Sequence, residues 1–211
     1  MIVKVRDRPR KDKVFQFVLG LGLFVGVHLA RVVAPGWRDA AIARWGEGPW
    51  KGLYSLASLL GLILLGRGYT AAYGEMPLLY EPASWGRHVL WSVMAAAFVL
   101  AVASGGPVGR IRRSVGDPLL VATILWASAH LLVRSDVLHV LLFGGFLVWA
   151  VADLISVRRR RAAGLVERSM LAAGPTPWIA DGIALAVGIG LYLAFMLGVH
   201  EWLFGVSPVG R

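Results

Sequence analysis

The chain has 211 residues, of which 57% are hydrophobic and only 16% charged, and its mean hydropathy is +0.67. A soluble domain is nearer to about 45–50% apolar and about 25% charged, so composition excludes a water-soluble enzyme domain. The net charge of +10 comes from basic residues between apolar runs, a pattern of topology-setting and lipid-headgroup contact rather than of nucleic-acid binding. The lack of cysteine excludes disulfides, thiolate metal ligands and a cysteine nucleophile.

Residues 1–13 read as a basic tail carrying Lys4, Arg6, Arg8, Arg10, Lys11 and Lys13. Beyond it, apolar runs of bilayer-crossing size recur and predict spans over 14–34, 52–73, 85–104, 118–133, 137–157 and 178–204. All are predicted helical, because lipid offers the backbone no hydrogen-bond partners. The predicted fold is thus all-α: a polytopic membrane protein of about six transmembrane helices in one bundle, a single domain over 14–205. The first run continues through His28 and Arg31 and is read as a retained span, not a cleaved signal. Ala34-Pro35-Gly36 ends it, and Gly105-Gly106-Pro107 ends the third span. Asp117-Pro118 starts the fourth as an N-cap followed by a proline in the first turn. Only Arg134-Ser135-Asp136 separates the fourth and fifth spans, which predicts a tight hairpin. Trp37, Trp85, Trp178 and Trp202 fall near span ends, as an aromatic belt does. Gly22 and Gly26, Gly144 and Gly145, and Gly188 and Gly190 are read as helix-packing positions. Arg158, Arg159, Arg160 and Arg161 read as a solvated, headgroup-facing anchor.

Ionisable groups inside a bilayer are costly, so they mark candidate sites. His28 lies in the first span with Arg31 one turn on, on the same face. His130 lies deep in the fourth span beside Trp126. Alternation of the spans places His88, His130, His139 and His200 in the half of the membrane that holds the N-terminus, and His28 in the other half. At ~1.5 Å rise per residue, His28 and His130 then differ by ~9 Å in depth. His88, His139 and His200 sit near span ends and read as interfacial. A metal site of His130, His139 and His200 with Glu201 has ligand types suited to zinc or copper, if the side chains converge. No nucleophile elbow or zinc-protease motif is present.

Several stretches together resemble the NnrU family of bacterial membrane proteins, whose relatives include the cis-zeta-carotene isomerases of plants and cyanobacteria. They are Leu21-Gly22-Leu23-Phe24 with His28-Leu29-Ala30-Arg31; Gly46-Glu47-Gly48 with Leu53-Tyr54-Ser55-Leu56-Ala57-Ser58-Leu59; and Gly109-Arg110-Ile111-Arg112-Arg113 through Asp117-Pro118 to Trp126-Ala127-Ser128-Ala129-His130. His200-Glu201-Trp202-Leu203-Phe204 closes the set. The resemblance implies a bacterial inner-membrane location and a link to nitrite and nitric oxide metabolism. Through the isomerases it also implies haem b held by histidines. One such ligand matches His28. The other belongs to a His-Pro pair, where this sequence has Asp117-Pro118, and His130 is the remaining family-like histidine. The expected pocket lies where the first and fourth helices meet, with His28, Arg31, Asp117 and Trp126, and with Tyr54 or Ser58 facing it. Two roles follow as alternatives: a haem-dependent isomerase or redox protein, or a non-enzymatic assembly partner of a nitrogen-oxide reductase. The partners expected are the lipid bilayer and a membrane or periplasmic redox protein.

Overall fold

The computed structural model describes residues 11–165 and 177–209; the basic tail up to Arg10, together with Arg168 and Arg211, lies outside the described residues. The described chain is helical almost throughout: α1 (Lys11–Val33), α2 (Pro35–Trp45), α3 (Glu47–Ala72), α4 (Gly86–Gly105), α5 (Arg110–Val115), α6 (Pro118–Leu131), α7 (Val137–Ala162), α8 (Pro177–Ala194), a π turn (Phe195–Val199) and α9 (His200–Phe204). Among the described residues five stretches have the length and apolarity of membrane spans: Asp12–Val33, Glu47–Ala72, Gly86–Gly105, Val137–Ala162 and Pro177–Phe204. The fourth predicted span is the shorter α6, whose 14 residues cover about 21 Å, less than a hydrocarbon core of about 30 Å. Pro118 fixes its start, and the turn at Leu132 and Val133 ends it before Asp136 opens α7.

Residues 35–51, between the first two predicted spans, are mostly helical. Pro35 occupies the first turn of α2, Gly46 (φ 87°) breaks the chain, and α3 begins at Glu47. Trp37 of α2 meets Trp50 of α3 edge-on at 5.4 Å. The last span is also not one straight helix. It bends at Gly198 inside the π turn, a recognised cause of helix kinks, and α9 closes on Gly205 in the left-handed region.

The chain forms two compact units: Met1–Pro82 with Arg134–Asp153, and Ala83–Val133 with Leu154–Arg211. In the first, α1 and α3 cross on glycines. Gly20 lies against the main chain of Leu64 and Leu65, and Gly68 against that of Phe17; a Cβ on Gly61 would stand 2.8 Å from Phe24 N. This close approach seals Phe17, which with Leu65, Ala72 and Leu138 makes the buried core. Gly22 and Gly26, assigned above to packing, face open space, as do Gly144 and Gly190. The reason is rotational: Gly22 sits two residues from Gly20, over half a turn around the helix. Gly145 packs on Leu21, and Gly188 on Val99 in the second unit. The loop after α3 docks on the turn before α7. Leu79 N–H donates to Ser135 O (2.8 Å), Val137 N–H to Pro77 O (3.1 Å), and the Tyr80 hydroxyl to Arg134 O (3.1 Å).

In the second unit α4 packs against α6 and α8. Asp181 of α8 accepts the N–H groups of Arg110 and Ile111, each at 3.0 Å, and so caps α5. Gly109 is required there, because a Cβ would collide with that carboxylate.

Candidate functional site

His28 stands on α1 in the first unit. Its Nδ1–H donates to Phe24 O at 2.7 Å, which leaves Nε2 as the lone-pair nitrogen; no hydrogen-bond partner for it is found among the described residues. Three rings surround the imidazole: Phe24 at 4.3 Å, Trp149 of α7 at 4.9 Å and Tyr54 of α3 at 5.3 Å. Phe146 extends the cluster, 5.4 Å from Phe24 and 6.0 Å from Trp149. Two buried donors there lack acceptors among the described residues, the indole Nε1–H of Trp149 and the hydroxyl of Ser58; Ser58 is one turn beyond Tyr54 on the same face of α3. Arg31 is exposed and makes no ion pair among the described residues. The arrangement offers an imidazole held through one nitrogen, flat apolar walls and unspent hydrogen-bond donors.

Asp117, Trp126 and His130 belong to the second unit, and each has its own partner there. Asp117 precedes Pro118 at the cap position, yet its carboxylate makes no capping bond. It instead receives Nη1 and Nη2 of Arg161 at 2.5 and 2.7 Å. A bidentate guanidinium–carboxylate pair is stronger than a single cap bond, and a Cβ on Gly116 (φ 82°) would come within 3.0 Å of that guanidinium. Arg161 is therefore a partner of Asp117 and not part of the solvated anchor expected of Arg158 to Arg161; Arg160 likewise donates to Ser156 Oγ at 2.6 Å. His130 Nδ1–H donates to Trp126 O at 2.8 Å, with the two rings 5.5 Å apart. His200 Nδ1–H donates to Val206 O at 2.7 Å, and His88 is exposed beside Trp91. Among the described residues no three His, Asp or Glu side chains group to hold a metal ion, so the weighed cluster of His130, His139, His200 and Glu201 is not assembled.

His139 departs most from its sequence reading. It is buried to 3% exposure. Nδ1 lies 2.5 Å from Asp136 Oδ2, and Nε2 lies 2.9 Å from the Tyr69 hydroxyl. A carboxylate only accepts, so Nδ1 carries the proton and Nε2 accepts from the phenol. Asp136 Oδ1 also accepts the His139 N–H at 3.2 Å, the bond of an N-cap residue to the third helical position. The local signal was available in Asp136-Val137-Leu138-His139, a helix-starting acid with an imidazole three residues on. Its partner Tyr69 comes from α3 and was not legible.

Among the described residues, a helical fold without strands, with five long apolar helices and a few sequestered ionisable groups, defines a polytopic integral membrane protein. Residues 16–208 match the NnrU family model, described as NnrU protein. The chain therefore belongs to the NnrU family. No curated protein and no solved structure matches it.

Proposed function

We propose that this NnrU-family protein is a haem-binding redox or isomerase protein of a bacterial inner membrane, acting in nitrite and nitric oxide metabolism, with His28 as the protein ligand. The observation that carries the reading is His28 within the rings of Phe24, Tyr54 and Trp149, with Nδ1 tied to Phe24 O and no hydrogen-bond partner for Nε2 among the described residues. A metal-ligating histidine is typically held in this way, its second nitrogen donating to a carbonyl that fixes the tautomer and raises basicity. Phe24, Tyr54 and Trp149 suit a flat apolar macrocycle. Ser58 and Trp149 would donate to its polar edge, and exposed Arg31 would face a carboxylate of the same ligand. Bound haem supplies one-electron chemistry tuned by its axial ligand.

The donor set fits one axial imidazole. It does not fit a second at Asp117, where a carboxylate engaged by Arg161 replaces the histidine of the isomerases. The reading is thus a single-histidine haem. Protein purified in detergent from haem-replete cells should carry about one haem per chain and lose it on His28→Ala. A colourless wild-type protein would overturn the reading in favour of a non-enzymatic partner of a nitrogen-oxide reductase, and undiminished haem in His28→Ala would overturn the ligand assignment.

A further inference from the structure

At the other end of the first unit from His28, a second constellation remains that the His28 reading does not use. Asp136, His139 and Tyr69 stand in line, with Asp136 Oδ2 accepting from Nδ1–H at 2.5 Å and Nε2 accepting from the phenol at 2.9 Å. The order carboxylate, imidazole, hydroxyl is that of a nucleophilic triad, in which the acid fixes the tautomer and steadies the imidazolium. Here the hydroxyl is a phenol, and its chemistry differs. A phenol that loses one electron becomes a strong acid, so it is oxidised readily only with a base in contact to take the proton. Nε2 of His139 is that base, and the carboxylate behind it holds the resulting charge.

The surroundings suit an oxidised ring. Tyr73 lies 5.6 Å from Tyr69 and 5.7 Å from His139, and Phe143 stacks on the imidazole at 6.0 Å. His139 is sealed from water, as is Ser135 at 2% exposure, whose hydroxyl has no partner among the described residues and is available to rebond when the charge on neighbouring Asp136 is redistributed. With no cysteine in the chain, no thiol is at hand to reduce a phenoxyl radical.

We propose that Tyr69 is a redox-active tyrosine served by a His139–Asp136 proton relay. A high-potential one-electron oxidant takes one electron from the phenol. The O–H bond breaks, and its proton moves to Nε2 of His139. The products are a neutral tyrosyl radical, an imidazolium paired with Asp136, and the oxidant reduced by one electron. The proposal is independent of haem at His28, because the oxidant can be supplied from solution.

The test is electron paramagnetic resonance of the full-length protein in detergent, oxidised with hexachloroiridate(IV) and freeze-quenched. The wild type should give a neutral tyrosyl signal that narrows when the protein is grown with ring-deuterated tyrosine. It should also carry an exchangeable-proton coupling that disappears in deuterium oxide. The signal should vanish in Tyr69→Phe, fall at least tenfold in His139→Phe, and persist in Tyr192→Phe. Three outcomes overturn the proposal: no tyrosine-derived radical in the wild type, an undiminished radical in Tyr69→Phe, or an equal yield in His139→Phe. If a variant fails to fold, absence of the exchangeable coupling in the wild type overturns it by itself.

Discussion

The guanidinium of Arg161 closes on the carboxylate of Asp117 through two hydrogen bonds of 2.5 and 2.7 Å, tying the last turn of α7 to the first residue before α6. Asp117 is thus a structural cross-tie between α6 and the end of α7. Both side chains are mostly sheltered, at 25% and 17% exposure, so deleting one leaves the other poorly solvated. Asp117→Ala should therefore cost about 2 kcal/mol in detergent unfolding, between the exposed and buried extremes for ion pairs. Arg161→Ala should cost a similar amount, and the double variant much less than the sum. Additive losses would show that the pair is not coupled.

The α1–α3 crossing predicts a contrast between glycines. Gly68→Ala puts a methyl group into the main chain of Phe17, and Gly61→Ala one into Phe24. Each should destabilise by about 1–3 kcal/mol, the usual cost of overpacking. Gly22→Ala meets open space and should be neutral or stabilising by up to about 1 kcal/mol through helix propensity. Unfolding in graded denaturing detergent compares the three directly.

Removing the imidazole of the relay should be costly whether or not Tyr69 is oxidised. His139→Leu strands the Asp136 carboxylate and the Tyr69 hydroxyl, both held by that ring. A loss of about 3 kcal/mol is expected, since unsatisfied buried partners cost more than the bonds themselves. Tyr69→Phe removes only the neutral donor and should cost about 1 kcal/mol. Equal losses would contradict the order of the chain.

Tyr80, in the loop outside the spans, has its ionisation pushed above the ordinary tyrosine value, first by burial and then by the negative charge of Asp136. The sign follows directly. The unfolded phenol loses its proton first, near pH of about 10, so the loop's contribution to stability is complete below that pH and is lost as pH rises toward the folded value. Comparing alkaline absorbance titrations of the wild type and Tyr80→Phe should show the late-titrating component smaller by one tyrosine in the variant. An unchanged late component would contradict the assignment.

Much of the helix order was legible, because lipid as solvent leaves so few backbone solutions. The predicted 85–104 is α4 (Gly86–Gly105), and Pro118 and Val137 start α6 and α7 as read. What a single sequence hid was which face each helix turns to its neighbour. Gly20, Gly61 and Gly68 carry the α1–α3 contact, yet in sequence they look no different from Gly22 and Gly26. Helix α2 was missed because its polar and apolar residues form no bilayer-length run. The burial of His139 was not legible because it comes from Tyr69, 70 residues away, and from Tyr73 beside it. Asp117 was read as a cap because capping is local, whereas its partner Arg161 is 44 residues distant.

If haem binds as proposed, His28 alone presents an imidazole nitrogen to it. Electron paramagnetic resonance of the ferric wild-type protein tests this claim most directly. A high-spin signal that converts to low-spin on adding imidazole, and that is absent from His28→Ala, is the result predicted for one histidine ligand. A low-spin, two-imidazole signal indifferent to added imidazole would contradict it, as would the absence of any haem iron.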